Sequence, residues 1–131
     1  CGSARKPRPR ASILVPSHPM SLPLEITATD VKTRLDAGEK VALIDVREPF
    51  EHAICSITAA ELIPMNSVPA RLQDIEAKSD AAERVVVLCH HGMRSLNVVN
   101  WLRGQGIENC QSLSGGIDAW SLSVDRAVPR Y

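Results

Sequence analysis

Aromatic side chains are nearly absent from this chain: 3% of 131 residues, with two Trp, one Tyr and one Phe. A core must therefore be built from Val, Ile, Leu and Ala. No apolar run approaches the roughly 20 residues that a membrane-spanning helix needs, so no membrane partner is expected. The apolar segment of a secretory signal is missing too, since Ile13-Leu14-Val15 is too short. A cytoplasmic protein is the expectation. Charge of one sign is not in excess overall, because the formal net charge is zero. Four basic residues, Arg5, Lys6, Arg8 and Arg10, precede the first acid, Glu25. The remainder is left acidic, which argues against nucleic acid as a partner. The four cysteines, Cys1, Cys55, Cys89 and Cys110, form no Cys-x-x-Cys pair. A chain of this length can bury a core without disulfide staples. Cys55 and Cys110 then read as small core hydrophobes.

Residues 1–22 hold Pro7, Pro9, Pro16, Pro19 and the basic cluster. Such composition builds no core, so this stretch reads as a disordered head: a tag, a linker or an upstream remnant before Met20. Residues 23–131 read as one domain. Short strands are expected over 25–27, 41–46, 61–65, 84–88 and 110–113. Thr27 offers an N-cap to a helix with Val31 and Leu35 facing in, ended by Gly38. Pro49 suits the first turn of a short helix through Ile54. Residues 71–75 fit a helix with Leu72 and Ile75 inward. Residues 94–103 fit another, with Val98, Trp101 and Leu102 on its inner face. Gly115-Gly116 turns into a last helix holding Trp120, and both tryptophans read as core. Strands alternating with helices imply an α/β fold: a doubly wound, mainly parallel sheet flanked by helices.

The most informative segment is Val85-Val86-Val87-Leu88-Cys89-His90-His91-Gly92-Met93-Arg94-Ser95. A β-branched run stops at a cysteine, a loop with one glycine follows, and a helical pattern begins. Sites in open parallel sheets form outside the carboxyl ends of strands. The loop amides and the helix N-terminus supply positive potential there. A cysteine so placed can ionise near neutral pH or below, instead of at about 8.5. Gly92 permits the backbone angles of an anion cradle, and Arg94 adds a permanent charge able to pair with an oxyanion.

Three segments in order carry a resemblance: Leu43-Ile44-Asp45-Val46-Arg47-Glu48, Cys89-His90-His91-Gly92-Met93-Arg94-Ser95, and Leu113-Ser114-Gly115-Gly116-Ile117-Asp118-Ala119-Trp120. Over roughly residues 24–131 the chain resembles rhodanese-type sulfurtransferases. The likeness is to small single-domain bacterial forms, or to modules appended to ubiquitin-activating-like sulfur-transfer enzymes. The resemblance implies a sheet of five strands. It implies that Cys89 takes sulfane sulfur from a donor such as thiosulfate, becomes a persulfide, and passes the sulfur to cyanide or a thiol acceptor. It makes His90, His91, Gly92, Met93, Arg94 and Ser95 the anion-binding loop, with Arg94 holding the donor. A sulfur-relay protein is the implied partner, and no metal or organic cofactor is required. A sulfur-delivery or docking module with little free turnover is the alternative. A phosphatase or arsenate reductase is disfavoured, because Arg94 follows Cys89 by five residues where phosphatase loops have six.

Asp45 and Arg47 read either as orienting groups near the site or as a structural ion pair, the second being favoured. Many family members carry Gly-His-Ile-x-Gly-Ala where this chain has Cys55-Ser56-Ile57-Thr58-Ala59-Ala60. Cys55 therefore raises the question of a resolving thiol, against the simpler reading of a buried packing residue. Glu51 reads as solvated. His90, His91 and His52 invite a metal reading, but adjacent side chains diverge and no zinc-ligand spacing is present, so no metal is expected.

Overall fold

The structure, a computed structural model, describes residues 22–131. The expected head lies outside them, save for Leu22. Five strands alternate with helices along the chain: β1 (Glu25–Ile26), α1 (Ala28–Asp36), β2 (Val41–Asp45), α2 (Pro49–Ile54), β3 (Ala60–Leu62), α3 (Leu72–Ala81), β4 (Arg84–Leu88), α4 (Met93–Gly104), β5 (Cys110–Leu113) and α5 (Gly116–Ser123). Two single 3-10 turns, Met65–Ser67 and Pro69–Arg71, join β3 to α3. The strands form one sheet in the order β1-β5-β4-β2-β3, every pair parallel.

Local chemistry sets these boundaries. The Thr27 hydroxyl accepts the Asp30 N–H at 3.1 Å and starts α1. Pro49 occupies the first turn of α2, where its missing N–H costs nothing. Glu48 and Glu51 close that turn as a capping box, with the Glu48 N–H donating to Glu51 Oε1 at 2.9 Å. The third strand begins and ends earlier than its apolar run implied. Ile63 and Met65 still donate to Asp45 O and Val46 O, at 2.8 and 3.0 Å, but Pro64 between them has no N–H to give.

Side chains alternate across the sheet and fill two cores. Val85, Val87 and Cys89 face Ile75 of α3 and Val98, Val99 and Leu102 of α4. Val86 and Leu88 face Val31 of α1 and Ile117 and Trp120 of α5. The central β4 is thus covered on both faces, which is why it reads as an unbroken apolar run. Full burial of each such side chain stabilises by about 1.5–3 kcal/mol. Trp101 departs from the expected inner face, being 39% exposed. Val98, Val99 and Leu102 occupy the face of α4 that meets the sheet. Trp101 flanks it and lines a shallow groove with Met65, Val68, Pro69 and Asn97.

Candidate active site

The C-terminal end of β4 delivers Cys89 into a buried position, 1% exposed. The chain then turns through His90 and His91 to Gly92, which caps α4 with φ +109°. That left-handed angle suits glycine, and a Cβ there would stand 3.3 Å from the Gly115 nitrogen. The turn aims amides back at the sulfur. Gly92 N–H donates to Cys89 Sγ at 3.0 Å and Ser95 N–H at 3.4 Å. The thiol itself donates to Ser95 Oγ at 3.5 Å, and that hydroxyl bonds Ser112 Oγ on β5 at 2.7 Å. Negative charge on Sγ would therefore be met by two amide dipoles and the N-terminus of a twelve-residue helix.

The loop is clamped from below by α5. Ile117 N–H donates to Cys89 O at 2.8 Å and Asp118 N–H to His90 O at 3.2 Å. Backbone lies on backbone here, so a Cβ at Gly116 (φ +62°) would collide with the carbonyl oxygens of Cys89 and His90. The Gly-Gly pair is thus required by contact as well as by conformation.

Arg94 sits in the first turn of α4, but its guanidinium is already engaged. Nη1 and Nη2 donate to Glu51 Oε1 and Oε2 at 2.7 and 2.9 Å. Glu51 is not solvated as its sequence context implied: it is 7% exposed. The turn of α2 carries it inward, where Glu48 N–H, Arg94 and the Tyr131 hydroxyl (2.8 Å) all donate to it. Arg94 is the main reason that its carboxyl is pulled down to about 2, against the opposing effect of burial.

Asp45 and Arg47 form an ion pair with both side chains fully buried. Arg47 Nη2 donates to Asp45 Oδ2 and to Cys55 O, each at 2.7 Å, and Nη1 donates to the Tyr131 hydroxyl at 2.9 Å. Burial is the largest influence and opposes the Arg47 charge, but the Asp45 carboxylate and the Tyr131 oxygen together outweigh it and the pKa is raised. The pair braces the segment after β2 and reaches Glu51 through Tyr131. Neither side chain hydrogen-bonds Cys89.

The Tyr131 ring also stacks on His90, centroids 3.8 Å apart, and His90 stacks on His91 at 3.9 Å. Burial, and then the neighbouring His91, hold the His90 imidazole below its ordinary value. His91 and Met93 are exposed, Met93 by 72%. Cys55 is buried in the core on the opposite face of the sheet from Cys89. Burial pushes the Cys110 thiol up to about 11. Among the described residues, no cluster of three or more His, Cys, Asp or Glu could hold a metal ion.

A sequence profile of the rhodanese-like domain matches residues 27–123, which include all three motifs. The chain belongs to the rhodanese-like domain family. It is 36% identical over 97 residues to a sulfurtransferase of Allochromatium vinosum, covering 74% of this chain and 87% of that one. It is 39% identical over 93 residues to rhodanese-like/PpiC domain-containing protein 12, chloroplastic, of Arabidopsis thaliana, covering 71% of this chain and 31% of that protein. With adenylyltransferase and sulfurtransferase MOCS3-2 of Zea mays it shares 36% identity, over 81% of this chain and 23% of that protein. The chain thus spans only about a quarter to a third of these two plant relatives. The fold agrees with the crystal structure of a rhodanese-like domain protein from Staphylococcus aureus. There the TM-score is 0.67 at 30% identity, covering 82% of this chain and 97% of that one. The five-stranded parallel sheet flanked by helices is therefore the rhodanese fold.

Proposed function

We propose that this domain is a sulfurtransferase working through a Cys89 persulfide. The observation that carries the reading is the sulfur itself, held at a strand end with the Gly92 and Ser95 amides donating to it. In the first half-reaction the Cys89 thiolate attacks the outer sulfur of a donor such as thiosulfate. A new S–S bond forms, the donor's S–S bond breaks, and sulfite leaves with the electron pair. In the second, cyanide or a thiol acceptor attacks the outer sulfur of the persulfide and the Cys89 thiolate is regenerated. This is covalent catalysis in two steps, and it needs no metal or organic cofactor. The amides bind the persulfide anion as they bind the thiolate, because the negative charge moves outward by only one S–S bond.

A protein in a sulfur relay fits as donor or acceptor. The domain's counterpart in the maize relative forms part of a larger adenylyltransferase and sulfurtransferase. Phe50 and Met93, each one residue from the Glu51–Arg94 pair, stay 62% and 72% exposed and offer apolar surface to such a partner. A reducing, cytoplasmic setting suits the chemistry, because Cys55, Cys89 and Cys110 are all free thiols. Steady-state kinetics with varied donor and cyanide test the reading. Parallel double-reciprocal lines and loss of thiocyanate formation in Cys89→Ala are expected. Intersecting lines, or turnover surviving in the variant, would contradict it.

A further inference from the structure

We propose that Glu51 is a specificity-determining residue: by neutralising Arg94 it turns Cys89 away from doubly charged sulfur donors and toward singly charged, carbon-bearing ones, the thiosulfonates and persulfides. The inference rests on Cys89 being the sulfur-accepting nucleophile.

Arg94 is the only Lys or Arg between Cys89 and Asn100. It is 34% exposed and its charge is felt at Cys89, yet both terminal nitrogens are committed to one carboxylate. Glu51 cannot easily release it. Its Oε1 also caps the Glu48 N–H, and its Oε2 also accepts from Tyr131, which is held in turn by buried Arg47. Among the described residues bonded to this pair, none restores the lost positive charge. Arg47 is matched by Asp45, and His90 is disfavoured as a cation by burial. Asp118, whose amide holds the His90 carbonyl, adds a carboxylate paired with Arg130. Among the described residues, the thiolate with this neutral ion pair near it therefore offers an incoming anion the loop's amide dipoles and no unpaired Lys or Arg of its own loop. A second charge on the donor therefore gains nothing there.

Two donors isolate this single charge. Thiosulfate, S–SO3 with charge 2−, gives the Cys89 persulfide and sulfite. The methanethiosulfonate anion, CH3SO2S⁻, gives the same persulfide and methanesulfinate. Both steps break one S–S bond and form one, and the donors differ in a methyl for a charged oxygen. With cyanide as acceptor, kcat/KM for methanethiosulfonate is expected to exceed that for thiosulfate by about tenfold in the unmodified protein. Glu51→Gln keeps an oxygen for the Glu48 cap while freeing the Arg94 charge. It is expected to lower the methanethiosulfonate-to-thiosulfate ratio by about tenfold, chiefly by improving thiosulfate. Arg94→Gln leaves the Glu51 charge unpaired and moves the ratio the other way. A purely structural Glu51 would depress both donors alike and leave the ratio unchanged. An unchanged ratio in both variants, or a preference of the unmodified protein for thiosulfate, overturns the inference while leaving the Cys89 persulfide intact. Failure of the unmodified protein to take sulfur from either donor overturns both readings.

Discussion

Replacing Arg47 by methionine would leave the Asp45 carboxylate alone in the interior. Its side chain is fully buried, and its hydrogen bonds run mainly to the guanidinium: Arg47 Nε reaches Oδ1 at 2.9 Å and Nη2 reaches Oδ2 at 2.7 Å. The Cys55 carbonyl and the Tyr131 hydroxyl would lose the same donor. Breaking a buried pair by removing one member costs about 3–5 kcal/mol, since the remaining charge is neither solvated nor matched. That is a large part of the 5–15 kcal/mol that holds a typical domain together. For a domain of this size it corresponds to a fall in Tm of roughly 12–20 °C. Asp45→Asn should cost a comparable amount. The double variant removes both charges and should be more stable than the summed losses imply, with a coupling of about 2 kcal/mol or more. Urea unfolding of the four proteins measures each quantity. Single variants within about 1 kcal/mol of the parent, or losses that simply add, would refute the argument.

Gly116→Ala should distort the sulfur loop, because its methyl meets the Cys89 and His90 carbonyls in a left-handed conformation. A loss of about 2–4 kcal/mol in stability and more than tenfold in sulfur loading is expected, read by unfolding and by thiocyanate production. Glu51, held at about 2 against an ordinary 4.5, contributes stability that is fully present above pH 4.5 and lost as pH falls toward 2. The stability gap between the parent and Glu51→Gln should therefore shrink over that range, from at most about 3 kcal/mol, as followed by urea midpoints against pH. Leu102→Ala, at a fully buried site, should cost about 2–5 kcal/mol, whereas Trp101→Ala on the flank of the same helix should cost less in the same unfolding assay.

Much of this architecture is written locally. The Val85–Leu88 run, the Thr27 cap, Pro49 at a helix start and Gly115-Gly116 before α5 are short-range signals. Each marks an element where the structure has one. The resemblance carried by three separated motifs supplied the family and the strand count. What stayed hidden depends on distant partners. Glu51 looks like a solvated helix carboxylate until the fold brings Arg94, 43 residues away, onto both of its oxygens. Its place as the third residue after a capping position was the one local hint. Tyr131 gives no local signal at all, since its partner Arg47 lies 84 residues upstream. Trp101 fits an apolar helix face by composition, yet the sheet meets a face set by Val98, Val99 and Leu102. The strand order, with β4 between β2 and β5, follows from crossovers that no single segment encodes.

The most direct measurement is the intact mass of the protein after exposure to thiosulfate and, separately, to methanethiosulfonate, for the parent and for Cys89→Ala. The account predicts a gain of one sulfur atom, removed by cyanide and absent from the variant. A folded parent that gains no sulfur from either donor, or a variant that gains it at Cys55 or Cys110, would contradict the assignment of Cys89 as the sulfur carrier.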